Sequence, residues 1–205
     1  KGEKAADREI YFNVTGQDRT GANADASRTK YGRVYQLDLD ENNPLSGNLK
    51  VLLDGDDRNG IAKTFQNPDN ICVTENYVYI QEDGDSFYAD NKHDGRVWQY
   101  NIATKALKPM IEMNHRRTDA TFNAKYNPIS VNTLSSWEYG AMHDISDLVG
   151  IPGTFLLNIH PHTWRDMKYS NADGSNSTVA KSITDSSTGS YAEGGQVVIL
   201  SGVPR

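Results

Sequence analysis

Three stretches of this chain repeat one pattern, and that repetition constrains the fold more than any other feature. An apolar strand that turns polar at its end occurs as Ile10-Tyr11-Phe12-Asn13-Val14-Thr15-Gly16. It recurs as Val78-Tyr79-Ile80-Gln81-Glu82-Asp83-Gly84 and as Phe155-Leu156-Leu157-Asn158-Ile159-His160-Pro161. After a polar loop, each is followed by a second strand that opens on glycine: Gly32-Arg33-Val34-Tyr35, Gly95-Arg96-Val97-Trp98 and Gly195-Gln196-Val197-Val198. A recurring strand–loop–Gly-strand unit is the sequence form of a β-propeller blade. The expected fold class is therefore all-β: a β-propeller, or part of one, with long loop insertions. Strands 10–15, 77–82 and 154–159 are expected in equivalent places. Propeller geometry gathers equivalent strand ends around one axis, so the polar ends of these strands are where chemistry is expected.

The chain reads as a single domain over 1–205. The first module covers 7–53, with strands at 10–15, 33–39 and 49–53, and an acidic connection follows over 54–68. The second covers 71–113, with strands at 71–74, 77–82, 96–102 and 107–112 and a tight turn at Glu75-Asn76. The Gly-Arg-Val positions of the two modules lie 63 residues apart (95 less 32). Compact propeller repeats are shorter, roughly 40–50 residues, so loop insertions are expected. Residues 114–150 are less regular, with a short helix or turn at 145–149. Strands 154–159 and 196–201 make the third module, around the Ser-, Thr-, Asn-, Asp- and Gly-rich stretch 165–193, which reads as a surface insertion. Closure usually takes four to eight blades. The remaining blades lie on another segment or chain, or are hidden in 114–150.

The net charge of −6 argues against a nucleic-acid groove and is compatible with cation binding or with solubility alone. No run approaches the ~18 apolar residues of a membrane helix, so no membrane span is expected. The single cysteine, Cys72, sits in the apolar run Ile71-Cys72-Val73 and reads as a small core residue. The chain opens at Lys1 without a leader pattern, as expected of a mature, processed or truncated product.

The sharpest local signal is Asn67-Pro68-Asp69-Asn70, a hairpin, and then Gln81-Glu82-Asp83-Gly84-Asp85. Antiparallel pairing brings both ends together, a density of hard oxygen donors that suits Ca²⁺. The bland alternative is a capped hairpin with Asp69 in an Asx-turn. Glu82 is expected inward as a ligand, with Asp83 capping the following loop. Asp54-Gly55-Asp56-Asp57-Arg58-Asn59-Gly60 and Asp173-Gly174-Ser175-Asn176 read as solvated turns. Glu138 lies between the aromatics Trp137 and Tyr139 and needs a partner or a metal if buried. His160 and His162, at i and i+2, face the same side, and His160 aligns with Asp83 and Thr15. The expected metal ligands are Glu82, Glu138 and Asp69. Asp83, Asn70, His160 and His162 are expected to support them or touch substrate. No catalytic residue is assigned, and no phosphate loop, nucleophile elbow or zinc pattern is present.

Taken together, GRVYQLDLD (32–40), NPDNICVTENYVYIQEDG (67–84), WEYGAMHDISD (137–147), GTFLLNIHPHTW (153–164) and EGGQVVIL (193–200) resemble the C-terminal half of PhoX-type alkaline phosphatases and their uncharacterised propeller relatives. The likeness runs in pieces from about residue 10 to residue 200. It implies a secreted or periplasmic β-propeller with a calcium–iron centre that hydrolyses small phosphate esters. It also implies calcium ligation at Glu82 and Glu138. Two departures stand out. Cys72 does not match the cysteine shared by the irons, and Asn158-Ile159-His160-Pro161 stands where the family has Asn-x-Gln-His. A complete phosphatase site is therefore not expected within these residues. Two other readings stay open: a non-catalytic propeller module for protein or glycan binding, and a calcium-dependent lactonase-like hydrolase with Glu82 and His160 as acid–base groups.

Overall fold

The computed structural model describes residues 8–17, 25, 27–83, 93–127, 136–164 and 194–205. They form an all-β arrangement of three antiparallel sheets with two short helices. The first sheet runs β1 (Glu9–Val14), β2 (Arg33–Leu39), β3 (Gly47–Asp54). The second runs β4 (Pro68–Val73), β5 (Tyr77–Glu82), β6 (Arg96–Asn101), β7 (Leu107–Glu112). The third has β9 (Phe155–Pro161) between β8 (Trp137–Asp144) and β10 (Gln196–Leu200). Helices α1 (Ala120–Tyr126) and α2 (Ser146–Val149) flank β8 in sequence. Among the described residues the three sheets do not close into a ring.

Pairing registers give the repeat a geometric form. Val34 of β2 lies opposite Asn13, Val97 of β6 opposite Gln81, and Val197 of β10 opposite Asn158. Continuing each register two steps places Gly32, Gly95 and Gly195 across from Thr15, Asp83 and His160. The first two sheets also carry a β-bulge at the same point, between Val34 and Tyr35 and between Val97 and Trp98. Strands β1, β5 and β9 are therefore equivalent, as are β2, β6 and β10. The hairpin strands β4 and β8 add an inner strand beside β5 and β9, which β1 lacks among the described residues. On the outer side, β3 and β7 have no counterpart beside β10 among those residues.

The described part of 114–150 is more regular than expected. It contains α1, the whole of β8, and a helical turn at 146–149. The expected excursion 165–193 and the acidic positions Asp85 and Asp173 lie outside the described residues.

Strand alternation explains the core, because side chains one apart face opposite sides of a sheet. Val78, Ile80, Trp98 and Tyr100 of the second sheet pack with Tyr11, Val34 and Leu53 of the first, closed by Ala62 and Phe65 from the connection. On its other face Cys72, Tyr79 and Val97 pack with Trp137, Tyr139, Met142, Phe155 and Leu157 of the third sheet. The second sheet is thus sandwiched. The inner strands approach one another, β1 against β4 and β4 against β8, and Asn13 Nδ2 donates to the Asn70 carbonyl across the first gap at 2.9 Å.

Gly32 is the one repeat glycine with a left-handed backbone, at φ +86°. A Cβ there would lie 2.3 Å from Pro68 Cδ and 2.9 Å from the Val14 carbonyl oxygen. Gly32→Ala should lower the unfolding free energy by about 2 kcal/mol or more, read from urea titration, since both the φ and the close approach oppose a side chain. An unchanged midpoint would contradict this account.

Candidate functional site

The same alternation decides which acidic residues meet. Tyr79, Gln81 and Asp83 point toward the third sheet, whereas Val78, Ile80 and Glu82 point toward the first. The two neighbours thus face the opposite ways from those expected. Glu82 is completely buried and takes no part in the acidic group. Its Oε1 accepts from Trp98 Nε1 at 2.7 Å and from the Gln66 amide at 3.0 Å, and its Oε2 accepts from the Arg96 amide at 2.9 Å. His93 Nδ1 stands 3.7 Å from Oε2. Burial pushes the Glu82 carboxyl up to about 8, against the pull of these N–H donors.

Asp83 instead reaches Glu138, and the two carboxyl groups share a hydrogen bond. Burial and the Glu138 charge push Asp83 up to about 8. Glu138 is held well below the ordinary carboxylate range: bonds from His162, Asp83 and His160 overcome its own desolvation. His160 Nδ1 lies 2.9 Å and His162 Nε2 3.2 Å from Glu138 Oε1. Asp69 completes the group, its carboxyl raised by burial and by the charge of Glu138. Asn70 supports Asp69 by donating Nδ2 to Oδ2 at 2.8 Å. The expected residues Asp69, Asn70, Asp83, Glu138, His160 and His162 therefore come together, and Glu82 does not. Both imidazoles are close to half-exposed, so the group is open to solvent.

Local backbone devices aim these side chains. Asp69 is the extra residue of a β-bulge, since Pro68 pairs Glu82 while Asn70 pairs Gln81. Gly140 and Ala141 form a second bulge between the pairs Tyr139–Ile159 and Met142–Leu157. A Cβ on Gly140 would lie 2.9 Å from His160 Nε2, so this glycine leaves room for the ring. His162 is steadied by its neighbour Thr163, whose hydroxyl accepts from Trp137 Nε1 at 2.6 Å and donates to Asn127 Oδ1 at 2.5 Å.

Asn67 is the residue that sequence reasoning passed over. Its φ is +53°, a conformation that asparagine tolerates better than other side-chain-bearing residues. Its carbonyl accepts from the Asp83 amide at 3.0 Å, its Nδ2 donates to Asp83 Oδ2 at 3.3 Å, and its Oδ1 accepts from the Gly16 amide at 2.9 Å. One side chain thus joins the polar end of β1 to Asp83. Its place before Pro68-Asp69 was the only available signal.

The other acidic segment is spent on the backbone. Asp56 Oδ1 accepts from the amides of Lys30 and Tyr31 at 2.9 and 3.0 Å, and Asp54 pairs with Arg33 at 3.0 Å. Cys72 is buried in the core, apart from the acidic group. Among the described residues no three His, Cys, Asp or Glu side chains stand as a preformed metal cage, and no helix is long and apolar enough to cross a membrane. Comparison with protein-family models, with curated proteins and with solved structures finds no match to this chain.

Proposed function

We propose that the three sheets are blades of a β-propeller-type assembly and that Asp69, Asp83 and Glu138 bind Ca²⁺ at its channel end. In this reading the site serves a phosphoric ester hydrolase of the kind found in PhoX-type alkaline phosphatases, acting outside the cytoplasm in a secreted or periplasmic setting. The observation that carries it is the meeting of Asp83 and Glu138, from different sheets, with Asp69 and two histidines beside them. Carboxylates this close repel unless a proton or a cation sits between them. Three carboxylates supply the hard oxygen donors that calcium prefers. A cation there would neutralise phosphoryl charge and polarise the ester.

The chain's own residues do the rest. The Asp83–Glu138 hydrogen bond opens to offer both carboxylates. His160 and His162, released from Glu138, face solvent where their N–H groups can bond to phosphoryl oxygens or pass a proton to the leaving group. Iron is not part of the proposal: the only cysteine is in the core, and no described residue stands in for a bridging thiolate.

The test compares thermal and urea unfolding in calcium and in chelator, alongside hydrolysis of p-nitrophenyl phosphate. Calcium at a hundredfold excess over its dissociation constant should stabilise the wild type by about 2.7 kcal/mol. Stabilisation without hydrolysis would leave a calcium-bound binding module. Identical unfolding in calcium and chelator would remove the metal reading altogether.

A further inference from the structure

The two halves of the acidic group are held in different ways. Glu138 is held from within the third sheet, by His160 on β9 and His162 just beyond it. Asp83 lies one residue past the end of β5. Pro68 stands opposite Glu82 and has no N–H to continue the β4–β5 ladder. The preceding residue, Asn67, takes over. Its carbonyl accepts from the Asp83 amide at 3.0 Å, and its Nδ2 donates to Asp83 Oδ2 at 3.3 Å. One residue therefore holds both the backbone and the carboxyl group of Asp83.

Asn67 is in turn fixed on the end of the first sheet. Its amide donates to the Tyr31 carbonyl at 3.3 Å, and its Oδ1 accepts from the Gly16 amide at 2.9 Å. The next residue, Pro68, packs against the bare Cα of Gly32, where a Cβ would lie 2.3 Å from Pro68 Cδ. The direction of the side-chain amide follows from chemistry. The Gly16 N–H can only donate, so the Asn67 oxygen faces it and the nitrogen faces the carboxyl oxygen of Asp83. Asn67 is buried, so these bonds work at low local dielectric. Its left-handed φ of +53° persists because these contacts over-determine it.

We infer that Asn67 is a positioning residue for the cation site and couples that site to the end of β1, so that cation binding at Asp83 and the anchoring of Gly16 strengthen each other. The inference rests on the calcium reading given above and adds a second place in the fold that responds to the metal. A cation bound at Asp83 fixes that carboxylate. The series Asp83–Asn67–Gly16 then tightens as a unit, because hydrogen bonds in series polarise one another. Linkage makes the effect reciprocal: holding Gly16 favours the cation as much as the cation holds Gly16. Outer partners of a metal ligand are worth about 10–100-fold in metal affinity.

Asn67→Gly tests the coupling, because glycine keeps the left-handed backbone and removes both side-chain bonds. Wild type and variant are titrated with calcium chloride, with affinity read by calorimetry and individual amides by NMR. In the wild type the Gly16 resonance should shift with the same calcium midpoint as that of Asp83. In the variant the Asp83 resonance should still shift and that of Gly16 should not, and calcium should bind about 10–100-fold more weakly. A purely structural role for Asn67 would lower the unfolding midpoint and leave the wild-type Gly16 resonance unmoved by calcium. If Asn67→Gly does not fold, the wild-type Gly16 resonance decides: a shift supports the coupling, and its absence overturns it. Calcium binding that leaves Gly16 unmoved, or that keeps full strength in a folded Asn67→Gly, overturns this inference and spares the calcium reading. A wild type that binds no calcium, with neither resonance moving, overturns both.

Discussion

Replacing Glu82 by alanine should destabilise the protein by about 3 kcal/mol or more, a large share of the ~5–15 kcal/mol typical of a folded domain. The Glu82 carboxyl accepts from three buried N–H groups: the Trp98 indole and the backbone amides of Gln66 and Arg96. Each donor left without a partner costs about 1–3 kcal/mol. The side chain is wholly enclosed, so these donors would be left buried. Glu82→Gln should cost less, since it keeps one acceptor, although its amide N–H₂ then faces other donors. The pH dependence has a definite sign. Burial raises the Glu82 carboxyl from its ordinary value to about 8, so between those values the folded chain binds more protons than the unfolded one. This contribution to stability is complete below the ordinary glutamate range and is lost as pH rises through about 8. Urea unfolding followed by tryptophan fluorescence at several pH values measures both effects. An alanine variant within about 1 kcal/mol of wild type would sink the account.

Glu138→Gln should abolish calcium-dependent stabilisation and lower phosphate-ester hydrolysis on the order of 100-fold, because Glu138 is the one group that touches Asp83, His160 and His162 together. Glutamine keeps the shape and removes the charge. On the proposed reading calcium competes with the proton that the raised Asp83 carboxyl takes up, so its apparent affinity in the wild type should tighten as pH rises through about 8. In the Glu138→Gln variant the charge that helps raise Asp83 is gone, and any remaining pH dependence should move to lower pH. Calorimetric titration in buffers of different ionisation enthalpy counts the displaced protons. A variant that binds calcium with unchanged affinity and pH dependence would place the metal elsewhere.

Much of this arrangement was legible in the sequence. The repeated glycine-led strands predicted the equivalence of β1, β5 and β9, and the alignment of Thr15, Asp83 and His160 is the one the pairing registers produce. The Glu75-Asn76 turn predicted the β4–β5 hairpin, closed by the Thr74 amide donating to the Tyr77 carbonyl at 2.9 Å. Strand β8 was not legible, because the Gly140-Ala141 bulge breaks its alternation. The direction of Glu82 against Asp83 was not legible either. Adjacent residues must face opposite ways, but which of them faces the third sheet depends on how the sheets stack. Trp98 and Gln66, which capture Glu82, come from separate segments with no local signal linking them to it. The left-handed backbone of Asn67 leaves no mark in composition.

Among the described strands, every hydrogen-bonded pair of neighbours is also a pair of neighbours along the chain. The contacts that build each sheet are therefore local in topology, and the sheets meet afterward through their faces. Such a chain behaves as a short linear array, in which stability is set by how many neighbours a unit has. Among the described residues of one chain, the central sheet has two and each flanking sheet has one. Amide exchange should accordingly be slowest in β5 and β6 and faster in β1–β3 and β8–β10, so that the molecule opens from its two ends inward.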